Sequence, residues 1–205
     1  MIRGGIVFAL ALLVLPLKPV AAQTVDPQSR FALLGQFSGF TSPEFNGVDR
    51  GFGGLFAWRP LGLISTEATA SFFPKNLTVN HRSPFTRGLV EGMVGVTAGP
   101  VRGRVRPFGT FRTGFVKFLT APGPLVCPAI SPPILSCNLA NGEAVIAADI
   151  GGGIELLSFP RALLRVEIDD RLLNYPGSID ASGDVHDMAF WENGFRFAVA
   201  AGVRF

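Results

Sequence analysis

Residues 193–205 read Asn-Gly-Phe-Arg-Phe-Ala-Val-Ala-Ala-Gly-Val-Arg-Phe. Phe195, Phe197, Val199, Ala201, Val203 and Phe205 alternate with Arg196, Ala198, Ala200, Gly202 and Arg204. A period of two is that of a β-strand, whose successive side chains point to opposite faces. One face suits an apolar surrounding; the other is small or cationic. A strand in a soluble core rarely turns two arginines inward, so this strand reads as a membrane strand whose Phe row meets lipid.

Working back from it, the same period recurs in eight stretches: 30–40, 50–58, 63–73, 87–98, 107–119, 143–156, 163–175 and 193–205. No helical period of useful length competes with them. The links alternate in length: 59–62, 99–106 and 157–162 are short, whereas 41–49, 74–86, 120–142 and 176–192 are long. Every Pro beyond residue 22 falls in a link or at the edge of a stretch, as expected of a residue that cannot donate to a ladder. An even number of strands, short turns and long outer loops predict an eight-stranded antiparallel up-and-down transmembrane β-barrel with both termini on the periplasmic side.

Composition agrees. The 205 residues are 48% hydrophobic and only 16% charged, which excludes a disordered chain. Yet no apolar run reaches the roughly 20 residues of a membrane-spanning helix. Residues 1–22 read as a secretory signal peptide: Arg3 is followed by the short apolar run from Ile6 to Leu15, and Val20-Ala21-Ala22 precedes a cut at Gln23. Residues 23–205 are then the barrel domain, with no room for a second one. Taking Arg3 and Lys18 from 18 Lys+Arg leaves 16 against 15 acids, net +1. That balance, with no basic run denser than Arg102, Arg104 and Arg106 in a turn, argues against nucleic acid. Cys127 and Cys137 flank a Pro-rich segment and, in an exported chain, are expected to form a disulfide.

The chain resembles the small eight-stranded outer-membrane barrels of the OmpA/OmpX type. The resemblance rests on several motifs besides the terminal Phe205 and its alternating partners: Gly51-Phe52-Gly53-Gly54-Leu55, Thr66-Glu67-Ala68-Thr69-Ala70, Arg106-Pro107-Phe108-Gly109 and Gly151-Gly152-Gly153-Ile154-Glu155. It implies that Phe197, Val199, Ala201, Val203 and Phe205 form the C-terminal signal read by the barrel-assembly machinery. Larger members of that family carry a peptidoglycan-binding domain, for which no room is expected in this chain, so the resemblance implies no cell-wall tethering.

If Phe205 faces lipid, parity turns Glu67, Glu91, Arg112, Asp149, Glu155, Arg165, Glu167, Asp169, Arg171, Arg196 and Arg204 into the lumen. A lumen this narrow is filled by side chains. Buried charges must pair, so the near balance of signs predicts an ion-pair plug, with a narrow gated pore as the alternative. Outside, Phe31, Phe37, Phe52, Phe72, Phe111, Phe115, Phe195 and Phe197 are expected to meet lipid, with Trp58, Tyr175 and Trp191 at the interfaces. A lipocalin-like barrel would invert every facing; the terminal Phe, the loop alternation and the row of Arg and acids weigh against it.

Chemistry is sparse. His81, Ser83 and Glu91 invite comparison with a lipid A deacylase triad, but Pro84 follows the Ser and Glu91 is assigned inward. His186 between Asp184 and Asp187 has a common loop composition rather than a metal pattern. Gly151-Gly152-Gly153 precedes no helix and is not a phosphate loop. The sequence is therefore read as that of a non-enzyme without cofactor or metal. Its expected partners are outer-membrane lipid and lipopolysaccharide, the assembly machinery, and a surface ligand at loops 74–86, 120–142 and 176–192.

Overall fold

The computed structural model describes residues 30–42, 47–74, 88–120, 127–157, 161–180 and 183–205. The segment read as a signal peptide, the His81 and Ser83 pair and most of loop 74–86 lie outside the described residues. The described residues hold eight strands: β1 (Phe31–Ser42), β2 (Gly47–Trp58), β3 (Ile64–Pro74), β4 (Gly88–Ala98), β5 (Val105–Phe118), β6 (Ala144–Leu156), β7 (Ala162–Tyr175) and β8 (Phe190–Arg204). Each pairs antiparallel with the next, and β1 closes on β8, so the sheet is a closed barrel without a free edge. At 11 to 15 residues the strands match or exceed the roughly 9–11 needed to cross a bilayer.

Alternation sets the two faces. On β7, Arg165, Glu167, Asp169 and Arg171 are buried, while Leu164, Val166 and Ile168 are exposed. On β8, Arg196, Ala198 and Ala200 are buried and Phe195, Val199, Val203 and Phe205 exposed. The charged row is thus inside and the apolar row outside, the opposite of a lipocalin-like arrangement.

Three local readings need correction. β5 begins at Val105 rather than 107, because Arg102 and Val105 close a tight hairpin around Gly103 and Arg104. Gly103 sits at φ 61°, a left-handed conformation that favours Gly there. Arg106 is therefore a strand residue and fully buried, not part of a solvated turn. Tyr175, expected at the interface, is buried inside, since it shares the parity of Arg171 and Leu173. Its ring packs on Phe190 at 5.7 Å.

Loop 120–142 also contains a short helix, α1 (Leu135–Ala140), with Leu135, Leu139 and Ala140 buried. The Cys127–Cys137 disulfide, with Cα atoms 6.0 Å apart, ties α1 to the preceding segment. Backbone bonds from Leu135 N to Ile179 O (2.9 Å) and Ile179 N to Pro133 O (2.9 Å) join it to loop 176–192. His186 fastens that second loop: its Nε2 lies 3.1 Å from Asp180 Oδ2 and its ring stacks on Phe190 at 3.9 Å. The described parts of the two loops thus join in a lid at the barrel mouth, where Leu135 and Leu139 pack with Phe40, Phe73 and Tyr175. By the chain-entropy argument, a cross-link at a separation of 10 residues contributes about 2–3 kcal/mol. Reducing it is expected to speed amide exchange at Cys137–Leu139 about 30- to 100-fold while strand amides stay protected, as read by hydrogen exchange.

Candidate functional site

The lumen is layered. At the end with short turns, Ala32, Leu34, Leu55, Ala57, Leu157 and Leu163 pack into an apolar cluster. At the loop end a second cluster combines Phe40, Phe73, Met93, Val116 and Tyr175 with Leu135 and Leu139 of the lid. Between them lie the charges. Successive inward positions on one strand are about 7 Å apart, so Arg165 to Arg171 spans on the order of 20 Å along β7.

The contacts form one continuous chain. Arg165 Nη1 and Nη2 grip Glu67 at 2.5 and 3.0 Å, and Nη2 also donates to Glu167 at 2.5 Å. Glu155 joins Arg165 (3.5 Å) to Arg106 (3.2 Å) and Arg59 (3.0 Å). Glu167 also accepts from Arg112 and, at 2.6 Å, from Arg196. Asp169 accepts from both of these arginines, at 2.9 and 2.8 Å. Arg196 further lies 3.9 Å from both Glu91 and Asp149. Those two carboxylates hold Arg171: it binds Asp149 in a two-bond fork at 2.8 and 2.8 Å and meets Glu91 at 2.5 Å. Glu91 thus faces the lumen and is engaged there, so it is not on the wall where a triad with His81 and Ser83 would need it.

The lining completes the fit. Arg165 stacks over Phe108 at 4.1 Å and Arg171 over Phe40 at 5.0 Å, the latter a cation–π contact joining the charged layer to the loop-end cluster. Inward Gly95 and Gly151 make room: a Cβ at Gly95 would meet Arg112 Cγ at 2.5 Å, and one at Gly151 would meet the Asp169 carboxylate. Gln36, Ser71, Ser65 and Thr97 carry the polar lining onto β1, β3 and β4, with Thr97 donating to Glu67 at 3.0 Å.

All ten positions named on strands β3 to β8 from Glu67 to Arg196 thus meet in one buried cluster. Arg204 sits apart, half-exposed at the turn-end mouth beside Arg30, Ala32 and Leu163. Arg59 and Arg106 belong to the cluster and were not among the expected members. With them, six guanidiniums meet six carboxylates, Glu67, Glu91, Asp149, Glu155, Glu167 and Asp169. An alternation extended one turn backward from Phe108 would have found Arg106; Arg59 lies past the end of β2 and has no such signal.

No protein-family model and no curated protein matches the chain. Among solved structures it is similar to the N-terminal β-barrel domain of Pseudomonas aeruginosa OprF, at 9% identity over 87% of this chain and 100% of that one, TM-score 0.50. It is likewise similar to Neisserial surface protein A, NspA, at 14% identity over 86% and 96%, TM-score 0.50. At such identities the likeness is one of fold: the architecture is that of the small eight-stranded outer-membrane β-barrels.

Proposed function

We propose that the protein is a non-enzymatic outer-membrane barrel of a Gram-negative-type bacterium, exported by residues 1–22, with a sealed lumen and its biological contacts on the loop side. Both termini then face the periplasm. The observation that carries this reading is the lumen itself: a charge-balanced ion-pair network between two apolar clusters, with α1 seated in the mouth. Water has no continuous polar path through such a stack. Support for the membrane setting comes from the outer wall, where Phe37, Phe52, Phe111, Phe115 and Phe195 are exposed. A soluble protein rarely leaves so large an apolar surface uncovered. One barrel of similar fold is named as a surface protein, and the disulfide-closed lid offers a pre-ordered surface for a comparable contact here. The exposed face of β8, ending in Val203 and Phe205, is the segment through which the assembly machinery would act.

The test is conductance of the refolded protein in a planar bilayer, with folding verified by circular dichroism. The expected result is silence across physiological voltages. Discrete openings in the unmodified protein would overturn the sealed-lumen reading in favour of a narrow gated pore.

A further inference from the structure

The two ends of the barrel differ in charge. The turn-end segments 30–33, 57–65, 98–106, 155–157, 161–164 and 202–205 contain six arginines that are exposed or half-exposed: Arg30, Arg59, Arg102, Arg104, Arg161 and Arg204. The one acidic side chain in these segments, Glu155, is buried and held by Arg59, Arg106 and Arg165. Backbone bonds bring the arginines to one rim: Arg59 N donates to Arg30 O at 2.7 Å, and Arg204 N to Arg161 O at 2.8 Å. Arg30, Arg59 and Arg204 line one small pocket with Phe31.

Phe31 also lines a second feature. On the outer wall of β2 to β5, at the same end, is a groove of about 750 Å³. Its floor is low because β3 presents only Thr66 and Ala68 there, beside Val94 and Val96 of β4. Its sides are high because Phe56 and Trp58 stand on one edge and Phe111 on the other. The volume falls in the range of sites that hold a small ligand. Phe31 stacks on Phe56 at 5.9 Å and on Phe205 at 6.2 Å, so an aromatic row joins the groove to the arginine rim.

We propose that this corner is a binding site for an anionic glycerophospholipid of the leaflet at the turn end. The acyl chain lies in the groove against Phe56, Trp58 and Phe111, and the headgroup phosphate lies on Arg30 and Arg204. An apolar groove alone accepts any acyl chain; the arginine rim at its end selects the anionic headgroup. The proposal rests on the membrane-barrel reading above.

The chain's two tryptophans make the test direct. Trp58 lines the groove, and Trp191 stands at the opposite, loop-proximal end of β8. A Trp191→Phe variant is reconstituted in vesicles containing phospholipid brominated on its acyl chains, either phosphatidylglycerol or phosphatidylcholine at equal mole fraction. An arginine near a membrane surface favours an anionic lipid about fivefold. Brominated phosphatidylglycerol is therefore expected to associate with Trp58 at least about fivefold more strongly. Arg30→Gln or Arg204→Gln should each lower that ratio about fivefold, as should a rise to ~1 M NaCl, which needs no substitution. The Trp58→Phe variant, reporting from Trp191, should show no preference. Equal quenching of Trp58 by the two lipids overturns the proposal while leaving the membrane barrel intact. No quenching of either tryptophan by either lipid overturns the membrane reading and the proposal with it.

Discussion

Replacing Arg196 with Ala is expected to lower the unfolding free energy by about 3–5 kcal/mol, the usual cost of removing one partner from a buried ionic cluster. Arg196 is fully buried and donates to Glu167 and Asp169 at 2.6 and 2.8 Å. It also neutralises Glu91 and Asp149 from 3.9 Å. Without it, six carboxylates face five guanidiniums in a lumen that water does not reach freely, and Ala offers neither volume nor charge to compensate. Arg196→Lys should recover part of the loss, because an ammonium supplies the charge but cannot fork between several carboxylates. The measurement is equilibrium unfolding in urea from lipid vesicles, followed by tryptophan fluorescence. A loss below about 1 kcal/mol for Arg196→Ala would show that the carboxylates are not in fact dry. Arg104→Gln, in the exposed two-residue turn, should stay within about 0.5 kcal/mol of the parent in the same assay.

The layering behind this expectation was only partly legible in the sequence. Parity is rigid in a strand, so one anchored residue assigns a whole face: taking Phe205 as outward turned Arg196 inward, and the same rule assigned Arg165 to Arg171 on β7. The rule failed where residue type was allowed to override it. Tyr favours interfaces, yet the parity that Tyr175 shares with Arg171 and Leu173 puts it inside. It also ran out at strand ends. Arg59 follows the last residue of β2, and only its long side chain carries its charge back to Glu155. Arg106 stands before Pro107 in a segment rich in Gly and Arg, which reads as a turn until the two-residue hairpin at Gly103 and Arg104 is known to shorten it.

The lid was hidden for a different reason. Leu135–Ala140 is six residues of Leu, Ser, Cys, Asn, Leu and Ala, too short to show a helical period. It is stabilised by what surrounds it, namely the disulfide, the backbone bonds to Ile179 and the burial of Leu135 and Leu139 in the mouth. None of these is a local property. The sequence could locate the cysteines; it could not show that the loop between them folds inward rather than out.

A double-mutant cycle on Asp149 and Arg171 is expected to show strong coupling. The two residues sit directly opposite on β6 and β7 and share two bonds of 2.8 Å. Arg171→Leu alone leaves Asp149 only the more distant Arg196, at 3.9 Å, and Asp149→Leu alone leaves Arg171 with Glu91; each should cost about 3–5 kcal/mol. The double Leu variant removes one charge of each sign, leaves Glu91 to Arg196, and adds apolar volume next to Ala147, Leu173 and Phe40 of the loop-end cluster. It should be about 3 kcal/mol more stable than the sum of the singles, as urea unfolding in vesicles would read. Strict additivity would mean that the fork contributes nothing in the folded barrel. Coupling with a nearly neutral double variant would locate the value of the charges in register rather than in stability. A one-residue slip of β7 against its neighbours turns Arg165, Glu167, Asp169 and Arg171 outward together. Each Arg brought to the lipid mid-plane costs about 2–4 kcal/mol, and each acid somewhat less. The misregistered sheet is therefore penalised by an amount that an apolar lumen could not impose. A barrel lined with Leu would tolerate the slip; a barrel lined with alternating Arg and carboxylate does not.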